Sequence, residues 1–123
     1  MGCILYVAVC TRPDICYAVC NPSKFLEKPG ENHWKAAIRI VRYLKTTMDL
    51  GLCFHGKQHG GEAIAFSDSD LGSNLDDRRS VSGVMVMLHG APVVFKSKYQ
   101  RTVALISAEA EYMALSLCVQ DVL

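Results

Sequence analysis

The sequence predicts an α/β chain of the α+β kind: a mostly helical N-terminal segment, then an antiparallel strand meander that leads into a helix. Three observations carry this. From Glu31 to Lys45, apolar residues recur at three- and four-residue spacing. Val81 to Leu88 and Val93 to Phe95 are apolar, β-branched runs on either side of His89-Gly90-Ala91-Pro92, which has the composition of a hairpin turn. Ser107 to Leu123 is an apolar stretch with a capping residue at its start and Glu109 and Glu111 in its first turns.

The elements follow in order. Gly2 to Val9 is apolar throughout and suits a buried helix or strand. Thr11-Arg12-Pro13-Asp14 breaks it, and Pro13 fits the first turn of a helix over Asp14 to Val19. Asn21-Pro22 interrupts or kinks that helix, Ser23 to Leu26 resumes it, and Lys28-Pro29-Gly30 is a loop. Asn32 caps the next helix, whose apolar stripe is Trp34, Ala37, Ile38, Val41 and Leu44. Lys35, Arg39, Arg42 and Lys45 recur on the neighbouring face. Leu50 to Phe54 reads as a short strand, and His55 to Gly61 as a glycine-rich linker that marks a boundary near residues 55 to 62. Ala63 to Phe66 is a strand that ends at Ser67-Asp68. Leu71 to Arg79 is a polar loop, followed by the hairpin and the last helix, whose apolar positions are Tyr112, Leu115, Leu117 and Val119.

Composition sets the outer limits. The chain has 123 residues, half of them hydrophobic and one-fifth charged, and a net charge of +1. That balance suits a globular protein and supplies no global field toward nucleic acid or membrane. The distribution is uneven. Arg12, Lys24, Lys28, Lys35, Arg39, Arg42 and Lys45 make the N-terminal half basic, while Glu62, Asp68, Asp70, Asp76 and Asp77 crowd a stretch with no basic residue. The apolar start is too short to cross a bilayer. Six cysteines sit mostly among apolar residues, with no secretory leader, which reads as buried free thiols in a reducing, intracellular compartment, cytoplasmic or nuclear. A zinc site of Cys16, Cys20 and His33 is the sharper alternative, although the spacing lacks paired knuckles.

The acidic stretch carries the chemistry. Asp68 falls where alternation ends and a loop begins, and Glu111 shares a helix face with Ala114 and Leu115. A strand-end Asp and a helical Glu that converge can share a divalent cation, and two such ions make an in-line phosphodiester cleavage site. The plain reading is a turn Asp and a surface Glu. Asp76-Asp77-Arg78-Arg79-Ser80 is either a salt-bridged turn or a phosphate clamp built on Arg78 and Arg79. Lys96, Lys98, Gln100 and Arg101 form another possible backbone contact. The basic helix either presents a solvated face or lays Lys35, Arg39, Arg42 and Lys45 along a phosphate backbone. His33, His55, His59 and His89 have no partner at a telling spacing.

These motifs together resemble a known family. Thr11-Arg12-Pro13-Asp14-Ile15-Cys16-Tyr17-Ala18-Val19, His33-Trp34-Lys35 and Arg39 to Thr47 look like the segment after the polymerase in copia-type retrotransposon polyproteins. Ser67-Asp68-Ser69-Asp70, Asp77 to Gly83, Lys96 to Gln100 and Ala108 to Leu115 resemble the ribonuclease H domain of the same polyproteins. The resemblance implies that residues 1–55 are the end of a reverse transcriptase region and residues 62–123 the N-terminal half of a ribonuclease H-like fold. It implies cleavage of the RNA strand of an RNA–DNA hybrid with Mg²⁺ or Mn²⁺, Asp68 and Glu111 as metal-holding catalytic carboxylates, and the rest of the Pol polyprotein as partner. The chain departs from the family pattern at Leu71, at Gly72-Ser73-Asn74 and at Phe95. The family's further catalytic Asp residues belong to elements past Leu123. The expectation is therefore a polyprotein fragment inactive alone, and the alternative is a non-catalytic piece that binds nucleic acid or protein through helix 31–45.

Overall fold

The computed structural model describes residues 1–56 and 62–123. Most of the glycine-rich linker, including His59, lies outside them. The chain forms two compact units, Met1–Leu52 and Cys53–Leu123.

The first unit is helical: α1 (Gly2–Cys10), a 3₁₀ turn (Pro13–Ile15), α2 (Cys16–Ser23) and α3 (Glu31–Thr46). Pro13 opens the 3₁₀ turn, where a missing N–H costs nothing. Pro22 does not kink α2. It lies in the last turn, and the helix stops one residue later without resuming. Gly30, not Asn32, precedes α3: its N–H donates to His33 Nδ1 at 3.0 Å, and the His33 ring stacks on Phe25 at 4.1 Å. At the far end, the Thr46 and Thr47 hydroxyls both donate to the Tyr43 carbonyl and close the last turn.

The core of this unit is small: Ala8, Ile15, Val19 and Ile40, with Ile4, Leu5, Cys16 and Leu44 packed on it. The predicted stripe of α3 is corrected here. Ala37 and Ile40 are its buried residues, while Trp34 is 66% and Val41 47% exposed. The seam has rotated toward Ile40 because it is the one that meets Ile15 and Val19. The first helix is likewise mostly exposed, with only Ala8 buried.

The second unit is a sheet of three strands in the order β1 (Ala63–Asp70), β2 (Val81–Leu88), β3 (Ala91–Tyr99), all antiparallel, packed on α4 (Ser107–Val122). The hairpin turn is two residues, His89 and Gly90, both with positive φ (51° and 81°). That is the turn whose twist matches the strands it joins. Leu50 to Phe54 forms no strand, although His55 N–H reaches His89 O at 2.8 Å. One bond, made by the residue after this stretch, does not sustain a ladder.

Two further expectations are corrected. β1 runs through Asp70, two residues past the predicted end, because Ser69 and Asp70 pair with Ser82 and Val81. The packed side of α4 is Ala110, Ala114 and Cys118, whereas Tyr112, Leu115 and Val119 are exposed. Small side chains let the helix axis come close to the sheet, and the larger ones are left outside.

Candidate nucleic-acid site

One buried amide joins the strands of the second unit to its helix. Gln100 follows β3 and is 7% exposed. Its Nε2 lies 2.9 Å from Ala110 O on α4, 2.9 Å from Ser82 Oγ on β2 and 3.2 Å from Ser69 Oγ on β1. Its backbone N–H donates to Ser80 O, and the Ser80 hydroxyl accepts from Gly72 N–H. Gly72 has φ +59°, and its Cα faces the Arg78 guanidinium. A buried side chain with several partners fixes geometry well, since each lost partner leaves an interior polar atom unpaired. Here it fixes the end of β1 against the start of α4.

Asp68 and Glu111 are the immediate neighbours of Ser69 and Ala110. Asp68 sits inside β1 opposite Gly83. Ser69 faces the helix through Gln100, so strand alternation turns Asp68 and Asp70 to the other face, with Phe66. Glu111 lies next to the packed Ala110 but is exposed. On a packed helix face with Ala114, Glu111 would carry a desolvation cost that a cation could offset. That cost is absent, because the side chain meets solvent. Neither carboxylate makes a hydrogen bond or ion pair among the described residues.

The predicted basic residues divide by whether they are paired. On α3, Lys35 pairs with Glu31 at 2.8 Å, both exposed. Such a pair contributes about 0.3–0.5 kcal/mol. Arg39, Arg42 and Lys45, spaced so that they share one side of the helix, are exposed and form no ion pair among the described residues. In the 71–80 loop, Arg79 Nε lies 3.4 Å from Asp77 Oδ2, its N–H also donates to Asp77, and Asn74 bonds the same carboxylate. Arg78 has φ 58° and leans over Gly72. Locally this is a salt-bridged turn. Lys96 pairs with Asp121 of α4.

Sequence reasoning missed the role of Arg12. It is 6% exposed and donates from Nε and Nη2 to both oxygens of Asp14 at 2.9 and 2.7 Å. It also donates to Thr47 O at 2.8 Å and to Thr47 Oγ1 at 2.7 Å. Tyr43 OH donates to Asp14 at 3.0 Å, and the guanidinium stands 5.5 Å from the Tyr43 ring centroid. The hydrogen bonds from Arg12, then that from Tyr43, hold the Asp14 carboxyl below its usual range, and Asp14 in turn raises Arg12. The Thr11-Arg12-Pro13-Asp14 motif is thus a clamp from the start of α2 to the end of α3. An Arg two residues before an Asp across a proline was the available signal.

The six cysteines are free. The expectation of buried thiols holds for Cys118 alone: Cys3, Cys10 and Cys53 are exposed, and Cys16 and Cys20 are half-buried. Burial pushes the Cys16 and Cys20 thiols up. Among the described residues, no group of three or more His, Cys, Asp or Glu side chains is placed to hold a metal, the Cys16–Cys20–His33 set included. No described helix is long and apolar enough to cross a membrane.

Comparison with known proteins adds what geometry lacks. The chain is 41% identical over 114 residues to the retrovirus-related Pol polyprotein from transposon TNT 1-94 of Nicotiana tabacum, which covers 93% of this chain and 8% of that one. It is 36% identical over 126 residues to the putative transposon Ty5-1 protein YCL074W of Saccharomyces cerevisiae, covering 99% and 40%. It is 43% identical over 121 residues to a Plasmopara viticola protein named secreted RxLR effector protein 161, covering 98% and 84%. No family model matches, and no solved structure matches. The chain therefore spans a small part of the polyproteins it resembles.

Proposed function

Because the chain belongs to the copia-type retrotransposon Pol family, matched over 93% to 99% of its own length in four relatives, we propose that it handles nucleic acid at the join of the reverse transcriptase and ribonuclease H regions. In this reading, residues 1–55 are the tail of the reverse transcriptase region. Residues 62–123 are the front half of a ribonuclease H-like domain, with Asp68 and Glu111 in the positions of two catalytic carboxylates. The remainder of the polyprotein is the partner and RNA–DNA hybrid the ligand. The observation that carries the reading is the Gln100 joint, which pins the strand bearing Asp68 to the helix bearing Glu111.

Mg²⁺ or Mn²⁺ is the cofactor this reading brings. A hard cation wants about six oxygen ligands, and Asp68 and Glu111 stand exposed, with no group of three or more acidic, His or Cys side chains placed to hold a metal among the described residues. The described residues do not fit a resident ion, and no cleavage step is built on one. The 123-residue chain is read as binding hybrid without cutting it. A second reading, a docking helix for nucleic acid or protein with no nuclease relation, is favoured by the unpaired Arg39, Arg42 and Lys45.

Incubation with a labelled RNA–DNA hybrid and Mg²⁺ tests both. The first reading expects retained hybrid and intact strands, whereas binding unaffected by Asp68→Asn but lost in Arg39→Glu/Arg42→Glu supports the second. Cleavage abolished by Asp68→Asn would show a complete nuclease. Failure to bind hybrid at all would overturn the first reading.

A further inference from the structure

We propose that the cleft between β3 and α4 binds a phosphate group together with its sugar: one nucleotide unit. The cleft has a volume of about 320 Å³. Lys98, at the end of β3, and Arg101, just beyond it, both line it. No carboxylate is among its lining residues. The neighbouring cations are already matched, Lys96 with Asp121 and Arg79 with Asp77. Lys98 and Arg101 make no ion pair among the described residues and are exposed. Two unmatched cations in a concave, carboxylate-free wall favour an anion, and a guanidinium beside an ammonium suits phosphate oxygens.

The rest of the wall narrows the anion to a nucleotide. Ser116 and Gln120, one turn apart on α4, bring a hydroxyl and an amide to the same side of the cleft. Leu117 adds apolar surface of the kind a sugar edge covers. Gln100 also lines the cleft, and its Oε1 is a buried acceptor with no donor among the described residues. A sugar hydroxyl is such a donor. The phosphate has two sources, a free nucleotide or the backbone of a nucleic-acid strand. The backbone form deepens the proposed function and rests on it, whereas the phosphate chemistry does not.

The test uses the whole 123-residue chain and Lys98→Gln/Arg101→Gln, both without Mg²⁺. Both positions are exposed, so the variant keeps its fold, which circular dichroism checks. Binding of a labelled RNA–DNA hybrid is followed against salt. Each phosphate contact contributes about 0.7–0.9 to the slope of log K against log salt. The variant is expected to lose between one and two contacts' worth of slope. In parallel, AMP and inorganic phosphate are titrated into ¹⁵N-labelled protein. AMP is expected to shift the amides of Lys98, Arg101, Ser116 and Gln120 in the wild type and not in the variant, at lower concentration than inorganic phosphate does. If hybrid binds with an unchanged slope in the variant and AMP leaves the cleft amides unmoved, the cleft inference is overturned while the proposed function stands. If hybrid does not bind but AMP maps to the cleft, the inference stands as a free-nucleotide site and the proposed function fails. If neither hybrid slope nor AMP shifts involve Lys98 and Arg101, the inference is wrong.

Discussion

The two units solve the same problem with opposite chemistry. Each has a thin apolar core and a buried polar side chain that ties its elements together. In Met1–Leu52 that side chain is a cation, Arg12, bound to Asp14 and Thr47, with Tyr43 donating to the same Asp14. In Cys53–Leu123 it is a neutral amide, Gln100, bound to Ser69, Ser82 and Ala110. A charged hub makes its unit depend on a carboxylate's ionisation, and a neutral hub does not. The contrast also separates two kinds of motif residue. Arg12 and Gln100 are spent inward on architecture, while Arg39, Arg42, Lys98 and Arg101 remain free to meet an anion.

The largest expected effect breaks the neutral hub. Gln100→Ala takes the donor from the buried Ser82 Oγ and unties β1 and β2 from α4, and should cost the second unit about 2–3 kcal/mol. Amide hydrogen exchange in β2 measures it, and the first unit should not change. Next, Val19→Ala empties part of a core in which Val19 is fully buried, at a cost of about 2 kcal/mol to the first unit. Urea unfolding followed by Trp34, the single tryptophan, reports on that unit alone.

The charged hub is sharpened by pH. Asp14 is held below its ordinary value, so its folded form binds fewer protons than its unfolded form above that lowered value. Its contribution is complete above the ordinary carboxylate range. It fades as pH falls through that range toward the folded value. The first unit should therefore lose stability below about pH 4, and Asp14→Asn should flatten that part of its profile while lowering stability at neutral pH. The second unit, with Gln100 in place of a charge, should show no matching loss from its hub. The smallest effect is one of rate: iodoacetamide should alkylate Cys3, Cys10 and Cys53 ahead of Cys16, Cys20 and Cys118, as peptide mass mapping would show.

Much of this fold was legible because local signals agreed with the tertiary outcome. Helix α3 announced itself by period, and the His89–Gly90 hairpin by turn composition between apolar runs. The misses share one cause, long-range packing that spacing does not reveal. Ser69 and Asp70 are polar enough to end a strand, yet pairing with Ser82 and Val81 keeps them in it. Alanines rather than leucines line the packed side of α4, because close approach to the sheet favours small side chains. Leu50 to Phe54 looks like a strand but lacks a partner ladder. Of the candidate site, the residues were legible and their surroundings were not: nothing local said that Glu111 would face solvent or that Gln100 would be buried.

The most direct test of nucleic-acid handling is an amide footprint. The ¹⁵N-labelled chain is titrated with a short RNA–DNA hybrid at low salt. Shifts are expected along Lys35, Arg39, Arg42 and Lys45, while the Arg12 clamp stays unmoved. A spectrum in which hybrid leaves that helix untouched would contradict that expectation.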